Sequence, residues 1–369
     1  MFGARMVCSC AFYLTPDSPH PNACNKRMAT VTLHEEEEAP CFSHETFLVA
    51  TPASDATTTK SPIRKSRSPR RPWNGDGKGI QVDIGARLRE YVDCLNHCKF
   101  DVIGNHLADT ISRNGQPQTQ EEHIARLRHR TQGLAGFEVK IDTMLVDKKA
   151  RAVAARYVNR MTASQPEADG ETTTTTEFDE QCYVWFDERG KMARIVTLQD
   201  NEGIRARNPT AAMTPRFLTR SMPQEPVDLG SVLGAYVASI NQHRMRAEFP
   251  RFCRHEVRHN NRALSVEDYA RSIEYSHEAI AGLRFGIREL LVDEETQQVA
   301  ARLEITGTPV MEFAGVRPNG REVRFHEHCM YRFDRGKIAV VWATMELDSY
   351  RRQLEVEVDG RKSSTLGIN

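Results

Sequence analysis

Two acidic side chains interrupt rows of apolar residues in two related stretches of the sequence. Side chains on a β-strand alternate between its two faces, so every second residue shares a face. Read at that spacing, the rows are Phe178, Glu180, Cys182, Val184 and Phe186, and then Phe325, Glu327, Cys329, Tyr331 and Phe333. A mostly apolar row is expected to face a core, so the sequence predicts that Glu180 and Glu327 point into apolar surroundings.

A second acid follows each row, at the end of the next predicted strand. One face of that strand carries Val196, Leu198 and Asp200 in the first stretch, and Val340, Trp342, Thr344 and Glu346 in the second. Same-face residues of neighbouring strands lie close together, so each pair of acids is predicted to share one hydrophobic hollow. Burial and a nearby carboxylate both raise the pKa of an acid, which suits proton abstraction and return near neutral pH.

These acids also have a structural interpretation. In this interpretation, Glu180 and Glu327 are simply hydrogen-bonded parts of the core and have no catalytic role. A strand-end acid often lies at a rim in water, or pairs with an arginine such as Arg156 or Arg302. The sequence leaves both interpretations open.

Nearby histidines and cysteines do not indicate a metal site. His326 and His328 share the face opposite Glu327 and are predicted to be solvated, and a third ligand is not visible. His255 and His259 are predicted to be solvated in a loop or short helix. The 9 cysteines lack the paired spacing of zinc ligands, so free thiols in a reducing compartment are expected. No metal or cofactor is predicted, and glycine-rich phosphate loops and serine nucleophile elbows are absent from the sequence.

The acids recur because the chain contains two copies of one domain. Leu145-Val146-Asp147 and Val153-Ala154-Ala155-Arg156 return, 146 positions later, as Leu291-Val292-Asp293 and Val299-Ala300-Ala301-Arg302. Asn114 matches Asn260 at the same offset. The predicted domains are 83–208 (copy one) and 228–356 (copy two), joined by a proline-rich linker at 209–227.

Each copy is predicted to contain helices followed by a sheet. An amphipathic helix comes first, and a capping signal (Thr119 with Glu122, or Ser265 with Asp268) precedes a second helix. Four strands follow, near 137–145, 152–158, 178–186 and 192–198 in copy one, and near 283–291, 298–305, 323–333 and 337–345 in copy two. This order predicts an α+β fold with helices on one face of a curved antiparallel sheet.

Composition excludes several classes of protein. The 50 basic and 50 acidic side chains give a net charge of zero, which argues against a nucleic-acid binder acting through a basic surface. No stretch approaches the ~18 apolar residues of a membrane span. Residues 1–80 combine prolines, an acidic run and a basic run without apolar periodicity, so a disordered tail is predicted there. Residues 357–369 are predicted to form a C-terminal tail.

The basic run at 60–71 has two interpretations. It can be a nuclear address or a phosphorylation-tuned arm, or it can be a solvated linker, which is the preferred interpretation. The N-terminus lacks the charged, apolar and small-residue progression of a secretory signal. The basic linker and the expected free thiols both fit a cytoplasmic location.

A set of residues in copy two carries a family resemblance. They are Asn260, the loop 315–321 (GVRPNGR), the segment 331–338 (YRFDRGKI), the stretch 342–346 and the tripeptide 352–354 (RQL). With these residues, copy two resembles a SnoaL-like polyketide cyclase domain of the NTF2-like superfamily, and the repeat extends the resemblance to copy one. The resemblance implies two tandem cone-shaped α+β barrels, each around a ligand pocket, and an aldol ring closure that needs no cofactor.

The resemblance also assigns roles to individual residues. The family's catalytic acid falls on Glu346 and Asp200, its pocket asparagine on Asn260 and Asn114, and its strand-three Gln and His on Glu327 with Cys329 and on Glu180 with Cys182. The strand-three residues depart from the family pattern. Tyr331 and Trp342 are further predicted substrate contacts. Copy one has 165–177 in place of the Gly/Pro loop, and this segment is predicted to be flexible, so that a pocket wall is lost.

The leading hypothesis is a cofactor-independent cyclase or isomerase of a small apolar carbonyl substrate such as a polyketide. Glu346 or Asp200 would remove a proton next to the carbonyl, Asn260 or Asn114 would stabilise the enolate oxygen, and Glu327 would be a second acid. A non-catalytic binding or scaffold module and a hydrolase activating water between two carboxylates are the alternatives. The copies are expected to form an intramolecular pseudo-dimer in which one copy is structural, and the sequence leaves open which copy is active and whether higher homo-oligomers form.

Overall fold

The computed structural model describes residues 82–167, 170–215, 221–223 and 225–355. The predicted tails at 1–80 and 357–369, and the basic run at 60–71, lie outside these ranges. The described residues belong to one compact unit of the chain, which contains both copies. No helix in the described ranges is both long and apolar enough to cross a membrane.

The described residues of copy one form four α-helices, a short 3₁₀ helix (Gly104–His106) and six strands. The helices are α1 (Ile84–Asn96), α2 (Phe100–Ile103), α3 (Gln120–Thr131) and α4 (Asn201–Arg205). The strands are β1 (Leu107–Arg113), β2 (Gln116–Thr119), β3 (Leu134–Asp147), β4 (Ala152–Glu167), β5 (Gly170–Phe186) and β6 (Met192–Gln199).

Copy two repeats this order. Its helices are α5 (Leu229–Asn241), α6 (Met245–Phe252), α7 (Val266–Ala279) and α8 (Leu347–Glu355). Its strands are β7 (Cys253–His259), β8 (Arg262–Ser265), β9 (Ile280–Asp293), β10 (Gln298–Pro309), β11 (Val323–Asp334) and β12 (Lys337–Met345).

The predicted α+β fold with two tandem units is confirmed, and each sheet is larger than predicted. The strand orders are β2-β1-β6-β5-β4-β3 and β8-β7-β12-β11-β10-β9, so the two topologies are identical. The four long strands are antiparallel, as predicted. A short hairpin, which the sequence analysis missed, adds two strands to each sheet through a parallel pair, β1 with β6 and β7 with β12.

The capping signals begin the helices at the predicted residues. Thr119 accepts a hydrogen bond from the Glu122 backbone N–H at 3.2 Å, and Glu122 accepts one from the Thr119 N–H at 2.7 Å, which is a complete capping box. Ser265 caps α7 by accepting from the Asp268 N–H at 3.0 Å. The shorter Asp268 carboxylate instead accepts from the Ser265 hydroxyl at 2.7 Å. Aspartate lacks the methylene that lets Glu122 reach the backbone.

The described residues of the segment at 165–177 belong to two paired strands, β4 and β5, and not to the predicted flexible loop. In β5 the threonine run pairs residue by residue with β4, for example Thr174 with Ala163 and Thr172 with Gln165. Threonine is β-branched and favours extended backbone, which the low hydrophobicity of this segment concealed.

The two sheets pack against each other through the faces predicted to be solvated. The inter-copy cluster consists of Leu145, Ala152, Ala154 and Tyr183 from copy one, and Leu291, Ala300, Met330, Val340 and Trp342 from copy two. His328, predicted to be in water, is 2% exposed and stacks on Tyr183 with ring centroids 4.8 Å apart. The prediction of a solvated face is therefore wrong here, because the second sheet covers it.

The contacts between the copies are reciprocal. The Asp293 carboxylate accepts from the Val146 backbone N–H, and the Asp147 carboxylate accepts from the Val292 N–H, both at 3.0 Å. Because the four residues are repeat counterparts, they are related by an approximate twofold axis. The predicted intramolecular pairing of the copies rests on these contacts.

We predict that Tyr183→Phe weakens the packing of the copies. The Tyr183 hydroxyl lies 2.9 Å from the Cys329 carbonyl oxygen and 3.1 Å from that of Ala301, both in copy two. Leaving buried carbonyls without their donor is expected to lower the free energy of unfolding by about 1–3 kcal/mol. Urea unfolding measures the loss, with the half-buried Tyr275→Phe as the control; equal effects of the two changes would contradict the prediction.

Candidate functional site

A small cavity lies inside copy two, between its helices and the concave face of its sheet. Its walls are formed by Tyr236, Val237, Ile240, His259, Tyr269, Ile273, Phe285, Leu303, Glu327, Cys329, Tyr331, Val341 and Ala343. The space open to water is about 20 Å³, which is room for about one water molecule. The cavity is therefore nearly closed in this conformation.

Strand β11 supplies the polar centre of this wall. Glu327, Cys329 and Tyr331 alternate along the strand and all face the cavity, as the apolar row indicated. Each of them is 3% exposed or less. A carboxyl group thus lies among aromatic and aliphatic side chains.

The corresponding acid of copy one, Glu180, is held by three side chains. Arg130 donates to its carboxylate at 2.9 Å, Asn159 at 2.9 Å and Thr197 at 2.6 Å. Burial opposes the charged form, but Arg130 and these hydrogen bonds lower the pKa of Glu180 to about 2. The raised pKa expected from the sequence is wrong for Glu180, which is an ion-paired carboxylate at neutral pH.

Around Glu327, the copy-two counterpart of Glu180, all three of these partners are replaced by other residue types. At the repeat offset of 146, the counterparts of Arg130, Asn159 and Thr197 are Ser276, Ile305 and Ala343. None of these residues carries a charge or an amide, and two have no polar side-chain atom. The Glu327 carboxyl group therefore lies in an environment that lacks a counterpart of Arg130.

Neutral hydrogen-bonding groups surround the copy-two cavity. Burial, with Arg262 nearby, lowers the pKa of His259 to about 4, so its imidazole is neutral at neutral pH. The hydroxyls of Tyr236 and Tyr269 lie 2.7 Å apart. Burial raises the pKa of Tyr331 well above its usual value, so this hydroxyl stays protonated. His259 lies on strand β7 and not in the predicted solvated loop or helix.

Cys182 and Cys329, the buried cysteines of strands β5 and β11, are thiols and not thiolates. Burial, together with Glu327, raises the pKa of Cys329 well above its usual value, and burial with Glu180 raises that of Cys182 to about 12. A nucleophilic role needs the thiolate form. These side chains are therefore wall groups of their respective interiors.

The strand-end acids do not share a hollow with the strand-three acids. The Glu346 carboxylate accepts from the His326 backbone N–H at 3.2 Å and lies 3.1 Å from His326 Nδ1. Asp200 caps helix α4 by accepting from the Gly203 N–H at 3.1 Å. The predicted pairing of carboxylates is wrong because the inward residues of the last strand are Val341 and Ala343, one position out of step with the predicted face.

The predicted pocket asparagines are turn residues. The Asn260 side chain donates to the Ala343 carbonyl at 3.0 Å and accepts from the Ala343 N–H at 2.8 Å. Asn114 makes the same two contacts with Thr197, at 3.1 and 2.8 Å. Both asparagines have positive φ angles, 44° and 48°, which asparagine tolerates in tight turns. Their amides fasten the hairpin to the last strand and do not line the cavity.

Trp342 also faces away from the cavity. It belongs to the inter-copy cluster, and its indole N–H donates to the Thr214 hydroxyl at 2.9 Å. The Arg156 guanidinium carbon lies 3.6 Å from the centroid of its ring. The predicted substrate contact is therefore an interface residue.

Several cavity residues were missed from the sequence, notably His259, Tyr269 and Tyr236. The repeat could have indicated two of them, because Tyr236 and Tyr269 are the counterparts of Tyr91 and His123. In copy one the Tyr91 hydroxyl lies 2.9 Å from the His123 ring, just as the Tyr236 and Tyr269 hydroxyls contact each other in copy two. Within the described ranges, no three His, Cys, Asp or Glu side chains lie close enough to hold a metal ion.

Comparison with known proteins points to one family. A family model described as "SnoaL-like polyketide cyclase" matches residues 230–354. A SnoaL-like polyketide cyclase from Agrobacterium tumefaciens is 32% identical, over 34% of this chain and 97% of that one, with a TM-score of 0.33. AclR from Streptomyces galilaeus (21% identical, 35% and 97% covered, TM-score 0.31) and TsrD from Streptomyces laurentii (21%, 35% and 96%, 0.32) are also similar. No curated protein matches the sequence.

Proposed function

The chain belongs to the SnoaL-like polyketide cyclase family, and we propose that copy two is a cofactor-independent cyclase or isomerase that moves a proton through Glu327. The observation behind this proposal is the position of Glu327 on the wall of an apolar cavity, beside neutral hydrogen-bond donors. Cyclase or isomerase activity is the function type that the family match supports. The substrate class, a small apolar carbonyl compound such as a polyketide, is part of the proposal.

The proposed reaction is an isomerisation in which no atoms are gained or lost. The Glu327 carboxylate removes a proton from the carbon next to a carbonyl, and the enolate carbon attacks a second carbonyl of the same molecule. The carboxyl group then returns the proton to the new alkoxide. One group can serve as base and then as acid because both proton transfers occur inside the same closed cavity.

Neutral donors on the cavity wall would stabilise the enolate. His259, which is neutral at neutral pH, offers one ring N–H, and Tyr331 offers a hydroxyl that stays protonated. Preorganised donors of this kind stabilise charge that develops in the transition state. They take the place of the asparagines that the family resemblance implied.

Copy one is proposed to have no part in the proton transfer. Its acid, Glu180, is ion-paired with Arg130 and has a pKa of about 2, so it is too weak a base to remove a carbon-bound proton. Its contribution to catalysis would be to support copy two across the inter-copy cluster.

The Glu327→Gln variant tests the proposal. Removing a general base is expected to slow proton transfer about 10²–10⁴-fold, since glutamine keeps the shape but cannot accept the proton. Exchange of the α-protons of an aryl ketone such as 2-tetralone in D₂O, followed by NMR, measures the step without the natural substrate.

Glu346→Gln is the matched comparison, because Glu346 is the acid favoured by the family pattern and lies against His326. Its exchange rate is expected to stay within about twofold of that of the unchanged protein. A rate lost in Glu346→Gln and kept in Glu327→Gln would contradict the proposal.

A ligand-binding or scaffold role is the second candidate, and the size of the cavity favours it. With about 20 Å³ of open space, the cavity admits a polyketide-sized molecule only after its wall moves. A protein that catalyses no α-proton exchange, yet is unchanged in stability by Glu327→Gln, would support this candidate. A two-carboxylate hydrolase is not favoured, because Glu327 is the one acid among the residues that line the cavity.

A further inference from the structure

The copy-two cavity is sealed at one end by helix α8 and by the 310–322 loop, which connects β10 to β11. Glu327 lines the cavity, and Phe325 is the neighbouring residue on the same face of β11. The Phe325 ring packs edge-on against Tyr350 of α8, with ring centroids 5.3 Å apart, and Tyr350 packs in the same way against Phe313 of the loop, at 5.2 Å. These aromatic side chains close the barrel one layer beyond Glu327. Helix α8 and the 310–322 loop are together called the cover.

The cover lies outside the hydrogen-bonded ladder of the sheet. All residues of the 310–322 loop are described, and none of them belongs to a helix or a strand. Two of its apolar side chains, Val310 and Met311, are 53% and 39% exposed. Segments of this kind open at a lower free energy than the paired strands of a core. Since the closed cavity has room for about one water molecule, a ligand needs an opening, and the cover is the part of the wall that can move without breaking the sheet.

Hydrogen bonds join the two parts of the cover. The Arg351 Nε of α8 donates to the Ala314 carbonyl of the loop at 2.8 Å. The Asn319 amide of the loop donates to the Leu354 carbonyl of α8, also at 2.8 Å. Because these bonds and the Tyr350–Phe313 contact connect α8 to the loop, the two are expected to move as one body.

Copy one binds the cover through two reciprocal ion pairs. The Arg351 guanidinium donates to both carboxylate oxygens of Glu202 in α4, at 2.7 and 2.8 Å, and Arg205 of α4 donates to Asp348 of α8 at 2.7 Å. At the repeat offset of 146, Glu202 corresponds to Asp348 and Arg205 to Arg351, so the same approximate twofold axis relates the two pairs. The side chains of Arg351 and Glu202 are only 20% and 27% exposed, so water screens this bidentate pair in part.

We propose that the cover opens to admit ligands to the copy-two cavity, and that copy one holds it closed through the Glu202–Arg351 and Arg205–Asp348 ion pairs. Arg351 is the connecting residue, because one guanidinium binds both Glu202 of copy one and Ala314 of the loop. Entry of a ligand breaks these pairs, and their return excludes water from the cavity. The proposal rests on the proposed function only in taking this cavity as the site. Its test follows a thiol and not the reaction, so the two proposals can fail separately.

Cys329 is a native reporter of the opening, because it lies on the cavity wall and is 2% exposed. N-ethylmaleimide is much larger than a water molecule, so it reaches this thiol only when the wall opens. Modification of the full chain under native conditions, followed by peptide mass spectrometry, gives a separate rate for each cysteine. Glu202→Gln keeps the shape of the side chain but removes its charge, and it is expected to raise the rate at Cys329 at least about fivefold.

Two other buried cysteines separate local opening from a general loss of stability. Cys182 lies in the interior of copy one, and Cys253 lies in the core of copy two but does not line the cavity. Both are expected to keep their modification rates in Glu202→Gln, because opening of the cover does not expose them. A merely destabilised protein would show faster modification of all three thiols.

Arg246→Gln is the matched control, because it removes another bidentate pair of arginine with glutamate. Arg246 of α6 donates to both carboxylate oxygens of Glu274 in α7, at 2.7 to 3.0 Å, away from the cover. The rate at Cys329 is expected to stay within about twofold of that of the unchanged protein. Faster modification in Arg246→Gln than in Glu202→Gln would mean that the cavity opens between these helices and would contradict the proposal.

Amide hydrogen exchange of the unchanged protein decides the question even where a variant fails to fold. Peptides from α8 and from the 310–322 loop are expected to exchange at least about tenfold faster than peptides from α7, which forms another wall of the cavity. Exchange of the cover as slow as that of α7 would overturn the proposal. So would a rate at Cys329 that is the same in Glu202→Gln and the unchanged protein, or one that rises in parallel with the rates at Cys182 and Cys253.

Discussion

Replacing Arg156 with methionine is expected to lower the free energy of unfolding by about 3–5 kcal/mol, the range found when one partner of a buried ion pair is removed. Arg156 is 1% exposed and donates to the carboxylates of Asp142 and Asp179 at 2.6 Å each. It also donates to the Ala212 carbonyl in the linker, at 2.6 Å, and stacks on Trp342 of copy two. Methionine fills part of the volume but leaves two acids without their cation.

The loss is measured by urea unfolding at pH 7. Arg160→Met, an exposed arginine four residues along the same strand, is the control and is expected to cost less than about 1 kcal/mol. Asp142→Asn added to Arg156→Met should recover part of the stability, since one stranded charge is then removed. A loss below about 1 kcal/mol in Arg156→Met would contradict the role assigned to this network.

Lowering the pH is expected to produce the second large effect, a fall in the free energy of unfolding. Burial lowers the pKa of His328 from 6.5 to about 3, with Arg302 adding to the effect, and lowers the pKa values of His123 and His259 to about 4. The unfolded chain binds protons on these histidines below pH 6.5, whereas the folded chain does not. The stability that these neutral histidines contribute is therefore fully present above pH 6.5. It is lost progressively as the pH falls toward 4.

The expected size is comparable with the total stability of many domains, which is about 5–15 kcal/mol. A pKa of about 3 in place of 6.5 for His328 corresponds to roughly 5 kcal/mol over the full range, and the slope is about 1.4 kcal/mol per pH unit for each proton. Glu180 adds to the loss only between pH 4.5 and about 2, because its pKa is lowered from 4.5 to that value.

Urea unfolding at half-unit steps from pH 8 to pH 4 measures this dependence. His328→Gln should flatten the slope by about one proton, because glutamine does not titrate, and His129→Gln, at an exposed position, is the control for the substitution itself. A free energy of unfolding that stays constant between pH 7 and pH 4.5 would contradict the prediction.

Most of the fold was readable from local pattern. The helix starts were predicted from Thr119 and Ser265, because capping depends on residues only three positions apart. The tandem arrangement was predicted from the repeat, because comparison of the sequence with itself shows it directly. The hairpin of β1 and β2 was missed, since its strands are short and polar and are stabilised by pairing with β6 from the far end of the domain. The first part of β5, at 170–177, was mistaken for a loop because threonine is polar yet suits extended backbone.

The site was only partly predictable. The alternation in β11 placed Glu327 and Cys329 on an inward face, because one face of this strand is mostly apolar and the other carries histidines and an arginine. In β12 both faces are apolar, since one lines the core and the other packs on copy one, so alternation alone could not orient Trp342 or Glu346. The arginine that binds Glu180 comes from α3, and such a partner depends on tertiary contact that no strand pattern contains.

The reciprocal contacts of Asp147 and Asp293 also bear on how the two halves of the chain could diverge. In a dimer of identical subunits, any substitution appears twice, so an arginine that neutralises one acid neutralises its symmetry mate as well. Covalent tandem duplication removes that restriction while keeping the same interface. Arg130 and Ser276, which occupy equivalent positions, illustrate this freedom: one half carries an arginine that pairs with its buried acid, and the other carries a serine at that place.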